Sequence, residues 1–292
     1  MKKILAMAFV LSSVVSIQAQ TNVFIKTVEA QLAKWEGTVT REGKAVKVTG
    51  LALSEVCDLK DPVDSRIFLE YGAMFVGTNG VVLPTRCVFL DQNEVAAYQS
   101  LVKMKTEKIG ETTISLQEPA MNALLAAIAD AQKEGLNITP RGGPTGAMRV
   151  YDDTRRFWNN RVERSLTHWT GQGRLKPEEA EAVRALGIRD QIKKVLELES
   201  KGIFFSTQFD KTILYSVAAP GASQHLFLLA LDIEQFANAR VREIMMSHGW
   251  FQTVKSDAPH FTYLGRKESE LPELGLRREV INGQRFWFPN LD

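Results

Sequence analysis

The run Leu226–Ile233, LFLLALDI, is apolar except for Asp232, and His225 stands seven residues before that acid. An ionised carboxylate is costly to take out of water unless it is paired or holds a metal, so any fold that buries this run must bring Asp232 a partner. His225 cannot reach it from one regular element. Seven residues span about 10 Å of helix or about 23 Å of strand, with the two side chains on opposite faces. The chain must therefore reverse between them. The polar, glycine-containing PGASQH (220–225) can supply the reversal, with His225 in a turn and Asp232 on a strand, LLALDI, returning beside it. Asp is also a good helix N-cap, and a helix opening at Ile233-Glu234-Gln235-Phe236 would claim the same oxygens.

Only four histidines exist, at 168, 225, 248 and 260. A catalytic zinc takes three protein ligands and keeps one position open for water. With His225 and Asp232 as two ligands, His260 in DAPHF is the best third. Pro259 holds the residue before it extended, so Asp257, three positions before His260, can lie near the metal without binding it. An acid in that place can take a proton from water and pass it to a leaving amine. His168 and His248 read as ordinary core or surface groups.

Ser223-x-His225-x-x-x-x-Ala230-x-Asp232 resembles the S-x-H-x-x-G-x-A-x-D signature of the D-alanyl-D-alanine carboxypeptidase family of zinc peptidases, and GWFQTVKSDAPHFTYLG (249–265) is similar to that family's second segment. The resemblance implies Zn2+ held by His225, Asp232 and His260, Asp257 as the base, and a substrate-positioning role for Ser223. It also implies an arginine after a long helix, steadying the carbonyl oxygen in the transition state. Helix 119–134, LNIT and Arg141 stand in that order, with TPRGG where the family usually has SGYRS. Leu228 replaces the family's glycine. D-x-P-H-F looks more like the branch of L-alanyl-D-glutamate endopeptidases. The implied substrate is a peptidoglycan stem peptide, cut as a D-alanyl-D-alanine carboxypeptidase or, alternatively, as an L-alanyl-D-glutamate endopeptidase. A wall-binding protein that has lost catalysis is the third reading.

The leader fits an exported protein. Lys2 and Lys3, an apolar stretch from Ile4 to about Val15 and small residues to Ala19 form a signal-peptide pattern over residues 1–19, implying a periplasmic or secreted location. No later apolar run is long enough to span a bilayer. A formal charge of +2 gives no electrostatic case for nucleic acid. Cys57 and Cys87 are the only cysteines, and in an oxidising compartment an even pair favours a disulfide over two buried thiols. Such a bridge adds about 3.5 kcal/mol in the loop-closure account.

The expected fold class is α+β, an antiparallel sheet with flanking helices carrying the zinc site. A small β-rich domain precedes it at residues 20–115, read from KAVKVTGLALSEV, RIFLEYGAMFVGTNGVVLPTRCVFL and the hairpin signal Asn79-Gly80. The peptidase domain follows at 116–265. Residues 266–292 form an extension with a second Asn-Gly hairpin in RREVINGQRFWFP, and the oligomeric state is left open.

Overall fold

The computed structural model describes residues 22–41 and 44–291, and the leader expected at residues 1–19 lies outside them. Helix α1 (Val23–Leu32) starts at Asn22, whose side chain accepts from the Ile25 amide, and buries Phe24, Val28 and Leu32 on one face. A hairpin, β1 (Glu36–Arg41) with β2 (Lys44–Thr49), leads into three helices, α2 (Leu53–Val56), α3 (Pro62–Tyr71) and α4 (Gln92–Leu101). A second hairpin, β3 (Met104–Ile109) with β4 (Thr112–Gln117), runs straight into α5 (Glu118–Lys133). Then come α6 (Tyr151–Gly171), α7 (Pro177–Arg184) and α8 (Ile188–Ser200).

The next segment builds a three-stranded antiparallel sheet from β5 (Ala230–Asp232), β6 (Trp250–Phe251) and β7 (His260–Tyr263), in the order β5-β7-β6, with α9 (Ala239–Ser247) between β5 and β6. A last hairpin, β8 (Leu276–Ile281) with β9 (Gln284–Pro289), turns at Asn282-Gly283. Both turn residues have positive φ, 50° and 74°, as a two-residue turn between strands of native twist requires. The result is a mixed α+β fold with small antiparallel sheets. One apolar core, running from Phe24 to Trp287, draws residues from the helices and from β2 to β9.

Between β2 and β3 the regular elements are α2, α3, a 3-10 turn (Gly72–Val76) and α4, where LALSEV and RIFLEYGAMFVGTNGVVLPTRCVFL suggested strands. Local start signals outweigh the β-branched content there. Asp61 accepts from the Val63 and Asp64 amides, Pro62 sits in the first turn, and Val63, Ile67, Phe68 and Tyr71 bury one helical face. Asn79-Gly80 forms a turn without flanking strands, since Thr78 donates its amide to the Leu264 carbonyl rather than across a hairpin. No helix opens at Ile233; the next one begins at Ala239, capped by Asn238, which accepts from the Arg240 and Val241 amides. Asp232 is therefore not a helix cap.

Cys57 and Cys87 form a disulfide. The bridge pins a segment that reaches the site, because the Phe89 amide donates to the Gly221 carbonyl at 3.0 Å. Gly221 has φ +82°, and a Cβ there would lie 1.9 Å from the Phe89 carbonyl oxygen. Neither strain nor clash can be relieved by moving a flexible side chain. Gly221→Ala is expected to destabilise the protein by about 3 kcal/mol, read as a fall of roughly 10 °C in the melting temperature.

Candidate metal centre

His225 lies in a single turn of 3-10 helix, Gln224–Phe227, which ends at Leu228. Leu228 has φ 56° and ψ 29°, the left-handed conformation a glycine would take freely. A leucine there costs about 1 kcal/mol of backbone strain, and its fully buried side chain offsets that cost. Buried amides hold the turn open. Gln99 donates its side-chain amide to the Leu226 carbonyl, Gln117 donates to the Phe227 carbonyl, and the Gln117 backbone donates to the Leu228 carbonyl. After Leu228 the chain returns as β5, and Asp232 pairs directly with His260 across the β5–β7 ladder.

His225, Asp232 and His260 thus converge as a buried group with the geometry to hold a metal ion. His225 Nε2 is 3.1 Å from His260 Nδ1 and 3.4 Å from Asp232 Oδ1, and His260 Nδ1 is 3.2 Å from Asp232 Oδ1. Atoms bound about 2.0–2.1 Å from a tetrahedral ion lie about 3.3–3.4 Å from one another. The donor set fits such an ion closely.

The protons fit it too. His225 Nδ1–H donates to the Ala147 carbonyl at 3.1 Å, leaving Nε2 bare. Gln224 donates its amide nitrogen to the Tyr71 carbonyl, which fixes its oxygen toward His260; His260 Nε2–H therefore donates to Gln224 Oε1 at 2.8 Å, leaving Nδ1 bare. Outer hydrogen bonds of this kind orient metal-binding imidazoles. With both rings neutral, two nitrogen lone pairs and a carboxylate oxygen face one another, an arrangement that a bound cation satisfies.

Charge states agree with that reading. Burial and the neighbouring Arg149 guanidinium push the His225 pKa down to about 4, so the ring is neutral at physiological pH. Burial works against ionisation of Asp232, and only a proton held on the His225 or His260 ring draws the carboxyl below the usual carboxylate range. Asp232 Oδ2 accepts from Arg149 at 3.1 Å, leaving Oδ1 for the centre.

The group lines a cavity of about 120 Å³ whose wall also carries Asp257, Arg149, Ser223 and Tyr71. Asp257 has no side-chain hydrogen bond among the described residues, and burial pushes its carboxyl up to about 7, with Asp232 adding to the rise and His260 and Arg149 opposing it. Ser256 before it has φ 65°. Strained residues such as Ser256 and Leu228 collect where a site fixes the backbone.

Arg141 does not line this cavity. Its guanidinium pairs with Glu234 at 2.9 Å, and both side chains are about half exposed, at 48% and 47%. Arg149, eight residues on, is the arginine that does. It donates from Nε to the Thr145 carbonyl at 2.9 Å and lies over the Phe157 ring. A sequence signal was present: Arg149 stands among Ala147, Met148, Val150 and Tyr151, whereas Arg141 sits between Pro140 and Gly142. A charge with apolar neighbours is the one that must find an internal partner.

No protein-family model matches the chain, and no curated protein matches it. Among solved structures, the chain is similar to that of the LdcB LD-carboxypeptidase, described as revealing the molecular basis of peptidoglycan recognition, with 15% identity and a TM-score of 0.35 over 84% of this chain and 91% of that one. A likeness of that size carries no argument about activity. No helix of the described residues is long and apolar enough to cross a membrane.

Proposed function

We propose that this chain is an exported zinc peptidase acting on peptidoglycan stem peptides, removing a terminal D-alanine or, as the runner-up, cutting between L-alanine and D-glutamate. The observation that carries the peptidase reading is the set of three proton-free donor atoms on the wall of a cavity shared with Asp257 and Arg149. The substrate class rests on the resemblance of the Ser223–Asp232 and Asp257–Phe261 segments to peptidoglycan peptidases.

Two imidazole nitrogens and one carboxylate oxygen at tetrahedral spacing suit zinc. Zinc bound there supplies Lewis acidity to a carbonyl oxygen and to water. Asp257, unpaired and titrating near neutrality, takes a proton from the attacking water and gives it to the leaving amine. Arg149 takes the part first assigned to Arg141: it fixes Asp232 through Oδ2 and presents positive charge to the developing oxyanion. Ser223, on the same wall, contacts the peptide. Leu228 and the TPRGG loop are the two departures from the family pattern that would favour a non-catalytic wall-binding protein. Leu228 takes the turn glycine would take, and Arg149 supplies the cation, so neither observation now favours it.

The test is mass spectrometry of a muropeptide pentapeptide after incubation with the mature protein, with zinc and with chelator. Loss of one alanine, or a cut after L-alanine, only in the presence of zinc supports the proposal and chooses the bond. An intact substrate with zinc bound overturns it.

The two arginines separate cleanly. Arg149→Ala is expected to lower kcat/KM by about 10²-fold or more, while Arg141→Ala, which removes only an exposed ion pair, should stay within about twofold. Steady-state kinetics on the same peptide reads both.

A further inference from the structure

Beside the metal cavity lies a larger groove of about 390 Å³, and the two share Arg149, Ser216, Val217, Ala218 and Ser223. A substrate in one therefore extends into the other. The far wall is α6, which turns Phe157, Asn160, Arg161 and Arg164 toward the groove. Arg161 and Arg164 are three residues apart and so occupy one helical face.

These two guanidiniums lack what the other arginines of α6 have. Arg155 and Arg156 pair with Asp152 and Asp153 at 3.6 and 2.9 Å. Arg161 donates only to the Ser216 hydroxyl, at 2.9 Å, and Arg164 lies 5.5 Å above the Phe209 ring. Among the described residues, neither has a carboxylate partner. Burial and the neighbouring Arg164 hold the Arg161 pKa below the usual guanidinium value, with Asp257 opposing them. Ser216, Val217, Ala218 and Ser223 face α6 across the groove, and the ring beneath Arg164 is fixed in advance. Phe209 stacks on His168 with ring centres 3.8 Å apart and holds φ 59°, a strained conformation for a bulky residue. The loop bearing it is anchored by buried Glu199, which accepts from the Phe205 and Ile213 amides.

We propose that Arg161 and Arg164 bind a carboxylate of the peptide substrate, so that the groove selects acidic peptides and sets which bond reaches the metal. This rests on the peptidase reading of the adjoining site. Arginine forks match a carboxylate in two-point contact, and an anion placed between them removes their mutual repulsion. The carboxylate has two possible sources in a stem peptide, the chain's C-terminus and the free carboxyl of its D-glutamyl residue.

The experiment uses L-Ala-D-isoGlu-L-Lys-D-Ala-D-Ala in three forms: both carboxyls free, C-terminal amide, and D-glutamyl amide. Binding is measured by calorimetry to zinc-loaded Asp257→Asn protein, which does not consume the peptide. One amide should bind roughly tenfold or more weakly than the free acid, and its identity names the source. In an Arg161→Gln, Arg164→Gln variant of unchanged melting temperature the difference should shrink to about twofold. Equal binding of all three peptides, or discrimination that survives in the double variant, overturns the proposal. Discrimination without cleavage of any peptide by the wild type retains the groove and sinks the peptidase reading. Cleavage of all three with equal kcat/KM does the reverse.

Discussion

Asp232→Asn is expected to abolish metal binding and activity without destabilising the metal-free protein. In the native chain, His225 Nε2, His260 Nδ1 and Asp232 Oδ1 crowd within 3.1–3.4 Å with no proton to share. That arrangement is repulsive until a cation enters it. An asparagine keeps an oxygen for Arg149 and turns an N–H toward the ring nitrogens, so it replaces repulsion by hydrogen bonds. It also removes the anionic ligand. Zinc at about a hundred times its dissociation constant should stabilise the wild type by about 2.7 kcal/mol, a rise of roughly 5–10 °C for a chain of this size. The variant should show no rise, should bind less than about a tenth of the wild-type zinc, and should turn over at background. Its melting temperature in chelator should equal or exceed that of the wild type. A variant that melts well below the wild type in chelator would mean that Asp232 is chiefly a structural partner of Arg149. Retention of zinc would remove it from the ligand set.

The convergence of His225, Asp232 and His260 was legible in the sequence because their chemistry restricts them. Few histidines exist, and an acid inside LFLLALDI needs a partner wherever the chain folds. The reversal between His225 and Asp232 followed from reach alone, and the structure places it at Leu228. What makes the reversal hold was not legible. The carbonyls of Leu226 and Phe227 are satisfied by Gln99 and Gln117, more than a hundred residues away in sequence. No local pattern marks a glutamine that will be buried for that purpose. The arginine was misplaced because Arg141 and Arg149 both follow α5, and only the fold decides which guanidinium turns inward. RIFLEY was misread for a different reason: β-branched and aromatic content was weighed above Asp61-Pro62, a helix start with its own mechanism. The second Asn-Gly pair, with long alternating arms on both sides, did form its hairpin.

Asp257→Asn tests the other half of the site, and its expected signature is the opposite of that at Asp232: zinc retained, turnover lost by about 10²–10⁴-fold. Asp257 faces the cavity but stands outside the converging donor set, so its loss removes no ligand. It makes no side-chain hydrogen bond among the described residues, so the fold has little to lose. Asparagine has the same shape and cannot accept a proton from water, which isolates proton transfer from packing. Burial already pushes the native carboxyl up to about 7, so replacing it by a neutral amide relieves a desolvation cost. The variant should therefore melt no lower than the wild type. Asp257→Glu keeps the carboxyl on a longer arm and should recover part of the rate. Zinc content by elemental analysis and kcat on the preferred stem peptide read the two halves separately. Loss of zinc in Asp257→Asn would make Asp257 a ligand and require the donor set to be redrawn. A kcat within about tenfold of the wild type would assign the proton transfer to another group on the cavity wall.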